Sequence, residues 1–77
     1  MIENPEMADH ILNIAYNHNR ELNQLLIDLS DKLGEADLKK LKRAVGHLLA
    51  ENFERLICPI YRKHPDKVPK EMKDMPL

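Results

Sequence analysis

Between Ala8 and Leu29 the apolar side chains return at steps of three and four: Ala8, Ile11, Ala15, then the polar His18, then Leu22, Leu25 and Leu29. That is the period of an α-helix, and it places all seven positions on one seam; a strand, with its period of two, would scatter them over both faces. Leu12, Leu26 and Leu33 widen the seam into a stripe that has to be buried against something. The start is marked by Asn4-Pro5-Glu6: an asparagine cap, a proline at the first helical position, and acidic Glu6 and Asp9 at the positive end of the dipole. Gly34 follows Leu33 where a left-handed C′ residue would end the helix. A first helix is therefore expected over about residues 5–33.

A second stripe runs through Leu38, Leu41, Val45, Leu48, Leu49, Phe53, Leu56 and Ile60. Glu35 and Asp37 acidify its first turn. Pro59 has no backbone N–H to donate and its ring clashes with the preceding turn. The second helix is thus expected over about 36–63, regular to about Ile57 and kinked near Pro59, with His64-Pro65 stopping it. Residues 65–77 form a proline-punctuated C-terminal tail, extended or with a short helical turn, with Val68, Met72 and Met75 as the residues that would fold it back. The expected organisation is a helical domain over 1–64 followed by that tail.

A short turn between two helices makes them antiparallel, so the fold class is all-α, a long antiparallel helical hairpin. Two glycines, five prolines and three aromatics leave little material for an all-β fold. At 77 residues a single core is barely self-sufficient. A disulfide within the chain is impossible, because Cys58 is the sole cysteine. Two helices alone also leave part of each stripe in water, at roughly 1.5–3 kcal/mol per large side chain left unburied. The economical remedy is a two-fold homodimer closing into a four-helix bundle, with another protein as the other candidate partner. Ile11, Leu22, Leu25, Leu29, Val45, Leu49, Phe53 and Leu56 are the expected dimer or partner interface.

The functional reading follows from what the chain carries and lacks. There is no Gly-rich phosphate loop, nucleophile elbow or paired-cysteine zinc pattern, and Cys58 sits in the apolar run Leu56-Ile57-Cys58-Pro59-Ile60, where a thiolate is disfavoured. A non-catalytic protein–protein interaction module, an adaptor or small regulator, is expected; no enzyme, no cofactor. With the turn near residue 35, His18 and Asn19 should lie near Asn52, forming a polar layer in the apolar core that fixes register, or else a metal or ligand site. His18 with Glu21, and His47 with Glu51, share helical faces, but no inward Glu-x-x-His motif accompanies them, so no metal is assigned.

Lys39, Lys40, Lys42 and Arg43 make one basic face, the alternative being a nucleic-acid-binding regulator. Acidic Asp28 and Asp31 at the same end offset these charges. A net charge of −1 makes nucleic acid the weaker partner. A lone thiol, no leader-like N-terminus and no membrane-length apolar run point to a cytoplasmic setting without membrane contact.

Overall fold

The computed structural model describes residues 2–72, and every regular element among them is helical. Helix α1 spans Pro5–Leu29. Its cap is the one the sequence announces: the Asn4 Oδ1 accepts from the Glu6 N–H at 2.9 Å and the Met7 N–H at 3.3 Å, satisfying two donors the first turn would leave open. The helix ends four residues earlier than expected. At Ser30 the backbone N–H turns to the Ile27 carbonyl, and the Ser30 hydroxyl donates to that same oxygen at 2.9 Å. This short-range bonding loosens the helix into turns through Leu33. Gly34 is not a left-handed C′ residue either. At φ −66° and ψ 162° it is the extended N-cap of the next helix, and its carbonyl accepts from Leu38.

Helix α2 runs Glu35–Asn52. Regular α-geometry then stops, short of the expected Ile57, and Phe53–Ile57 form one π turn before helix α3, Cys58–Lys63. The cause is Pro59. In a straight α-helix its ring would press on the Arg55 carbonyl and its missing N–H would leave that carbonyl unpaired. Widening the turn by one residue relieves both, and the Cys58 N–H bonds five residues back to the Phe53 carbonyl. The anticipated kink is therefore an inserted residue rather than a break. His64, at φ −128° and ψ 75°, leaves the helix ahead of Pro65.

Beyond it lie two single 3₁₀ turns, Pro65–Lys67 and Lys70–Met72. Met75 and the last residues of the predicted tail lie outside the described residues. The described part folds back. Val68 is buried, Met72 packs on the core, and the Lys67 Nζ meets the Asp9 carboxylate at 2.6 Å. The ring of His64 bonds the Ile2 carbonyl at 2.7 Å, and Lys63 faces Glu3 at 3.5 Å. Val68 thus belongs to the same core as the helices.

That core is Ala8, Leu12 and Ala15 from α1, with Ile57, Ile60, Tyr61 and Val68. It lies at the end of the molecule away from the 30–34 turn. The small side chains of Ala8 and Ala15 allow close approach between the helical stretches. The molecule measures 45 × 23 × 20 Å, and no helix among the described residues is long and apolar enough to cross a membrane.

Candidate functional site: an open groove between the helices

Ile14, Ala15 and His18 of α1, Leu48, Glu51 and Asn52 of α2, and Arg55 and Leu56 of the π turn line one shallow groove of about 530 Å³. Helical spacing puts them together: 48, 51/52 and 55/56 recur along one face, as do 14 and 18. Its floor is polar. The Asn52 Nδ2 donates to the Asn19 Oδ1 at 2.8 Å and to the Ala15 carbonyl at 3.1 Å, tying α2 to a side chain and a backbone atom of α1. Its rim is apolar: Ile14 is 57 % exposed, Leu48 50 % and Leu56 37 %. Glu51 and Arg55, four residues apart and largely in water, form an ion pair that holds the guanidinium's pKa above its usual value, first through their hydrogen bond and then through the charge.

The predicted residues divide clearly. Asn19 and Asn52 come together as one half-buried pair. His18 does not join them, because its side chain is exposed in the groove. Among the described residues no three metal-binding side chains cluster, at His18 or elsewhere. Of the expected interface, Val45 is only 2 % exposed and is spent within the chain. Ile11, Leu22, Leu29, Leu49 and Phe53 are half-buried, while Leu25 and Leu56 stand open. Ile14 and Leu48 were not among those interface residues. Ile14 neighbours Ala15 on the seam and lies seven residues after Met7, which is also exposed; that repeat is the signal that would have found it.

Lys39, Lys40, Lys42 and Arg43 are all exposed, and Lys39 and Lys42 border a second open hollow with Glu35, Ala36 and Leu38. The acidic Glu35 and Asp37 lie in the same first turn, so the basic face is not of one sign. Cys58 is a free thiol buried beside Pro59, with no surface to act on.

A second polar pair escaped sequence reasoning. The hydroxyls of Tyr16 and Tyr61 share a short hydrogen bond at the edge of the core. Burial, then the bond to Tyr16, pushes the Tyr61 pKa far above its ordinary value. A register extrapolated from the turn pairs 19 with 52 but sets 16 opposite about 55, too far from 61 for the one residue inserted by the π turn to make up. No family model, no curated protein and no solved structure matches this chain, so its reading rests on these residues.

Proposed function

We propose that this chain is a non-catalytic protein–protein interaction module, a helical hairpin that pairs with a second copy of itself as a four-helix bundle and serves as a small adaptor or regulator. The groove carries the reading: three large aliphatic side chains, Ile14, Leu48 and Leu56, line one depression and face water. Scattered exposed leucines need no explanation, but a cluster on one face of a small chain does. The shape supports it. The radius of gyration is 14.9 Å, against about 11.5 Å for a compact domain of this length. A slender molecule with a one-ended core gains most from lying side by side with another. The buried free thiol agrees with a reducing, cytoplasmic setting.

Sedimentation equilibrium on the purified chain tests this directly. Ile14→Asp and Leu48→Asp should each shift the population toward monomer while circular dichroism stays helical. A chain that is monomeric at every concentration up to the millimolar range, with no binding of an apolar-surface dye, removes the proposal.

The exposed Lys39, Lys40, Lys42 and Arg43, beside an open hollow, support a second reading as a nucleic-acid-binding regulator. That reading requires retention on RNA or DNA that falls with salt and is weakened by Lys40→Glu with Arg43→Glu.

A further inference from the structure

Resting on the proposed self-association, we infer that the second copy docks on the Ile14–Leu48–Leu56 face about a two-fold axis between Glu51 and Arg55, with these two charges setting the register. The groove excludes many occupants by its own charge pattern. Its lining carries one carboxylate, Glu51, and one guanidinium, Arg55, which offset each other and give no strong field for an acidic or basic partner. A surface of that kind is complementary to itself. Two-fold symmetry makes residue i of one copy meet j of the other and j meet i. An axis crossing the second helical stretch midway between positions 51 and 55 sets each Glu51 against the second copy's Arg55, twice. The same operation lays the apolar rim of one groove, Leu48 and Leu56, over that of the other.

Both charged side chains are solvent-exposed in the single chain, 58 % for Glu51 and 77 % for Arg55. Their pairing within the helix is therefore weakly held and free to be shared with the second copy. The slender chain as a whole also has surface to spare for an interface. The chain exposes 5875 Å², whereas a compact monomer of 9.0 kDa exposes about 4,900 Å². The excess of roughly 1,000 Å² is similar to the ~800 Å² that each partner gives up in a standard specific interface.

Charge exchange tests the register without touching the apolar rim. Glu51→Arg alone sets four cations together across the axis, and Arg55→Glu alone sets four carboxylates. Each should weaken the homodimer by about tenfold at low salt. Mixed in equal amounts, the two variants should form the heterodimer in preference to either homodimer, separable by native mass spectrometry. The double exchange Glu51→Arg with Arg55→Glu keeps the intrahelical pair. It should dimerise with itself like the original chain and refuse to mix with it. Should the original chain dimerise while all four species mix at random, the register is wrong and self-association stands. A monomeric original chain would end both ideas.

Discussion

Changing Tyr16 to phenylalanine removes one oxygen and tests whether the two hydroxyls act as a unit. Tyr61 is 2 % exposed, and Tyr16 is the partner its hydroxyl has. Deleting that partner leaves a buried phenol to bear the cost of desolvation, about 1–3 kcal/mol for an unsatisfied polar group. Tyr16 is only half-buried, so water can recover part of it, and the lower half of that range is expected: about 1–2 kcal/mol. A domain of 77 residues unfolds with an entropy near 160 cal/mol/K, so the melting temperature should fall by about 6–12 °C. Replacing both tyrosines by phenylalanine should cost less than the sum of the single changes, since no hydroxyl is then left unpaired.

The same pair makes a prediction in pH. Folding raises the Tyr61 pKa above the ordinary tyrosine value near 10, so its stability contribution is intact below pH 10 and is lost as pH rises beyond it. With only two tyrosines and no tryptophan, ionisation can be followed at 295 nm. In the Tyr16→Phe chain the remaining phenol should ionise together with the loss of helical ellipticity. The melts need one protein concentration throughout, because association shifts the apparent stability. A Tyr16→Phe change that is thermally silent, with strictly additive single changes and a Tyr61 that titrates normally in the folded chain, would refute the coupled pair.

Three further outcomes follow from burial and hydrogen bonding. Val45→Ala should destabilise by about 2 kcal/mol through the cavity it leaves, whereas Ile27→Ala, at a side chain 65 % exposed, should stay within about 0.5 kcal/mol; urea melts that rank them equally would contradict the burial pattern. Asn52→Ala strips a donor from the Ala15 carbonyl and from Asn19 and should cost about 1–2 kcal/mol, whereas a neutral result would mean water serves those acceptors equally well. His18→Leu replaces a polar ring in an apolar-rimmed groove and should tighten self-association several-fold by sedimentation, while a weakened dimer would show that the imidazole makes a specific contact across the interface.

Much of this architecture was legible in the chain, and the parts that were not have definite causes. The periods of both stripes and the Asn4-Pro5-Glu6 cap mark helices that the structure contains, because those signals act within a turn or two. Pro59 announced a disturbance. Its form, a π turn from Phe53, depends on which neighbours can yield, and a proline's position does not encode that. Gly34 illustrates the same limit. Glycine serves a left-handed C′ or an extended N-cap equally well, and the path of the chain decided for the N-cap. For the candidate site, Asn19 and Asn52 met because they precede the inserted residue. Tyr16 and Tyr61 could not be paired from the register counted out from the turn, which sets position 16 about six residues short of 61, a gap that one inserted residue does not close. His18, in register on the seam, stayed exposed because two helices cover only one side of such a position.

The distribution of burial explains why the groove, rather than either end of the molecule, is the surface to expect a partner on. At the end away from the turn, the folded-back tail does what a third helix would do. Val68 and Met72 seal Ala8, Leu12 and Tyr61, and Lys67 and His64 tie that tail to Asp9 and Ile2. At the turn, Leu22, Leu26, Leu29, Leu33, Leu38 and Leu41 are all only half-buried. Conformational entropy must be repaid along the whole length of both helices, yet deep burial is concentrated at one end. In the proposed pairing, a second copy laid along the groove adds apolar contact to Ile14, Leu48 and Leu56, which lie between the sealed end and the turn. The proposed pairing on the Ile14–Leu48–Leu56 face would stabilise the fold as it forms, because whatever binds only the folded chain does so.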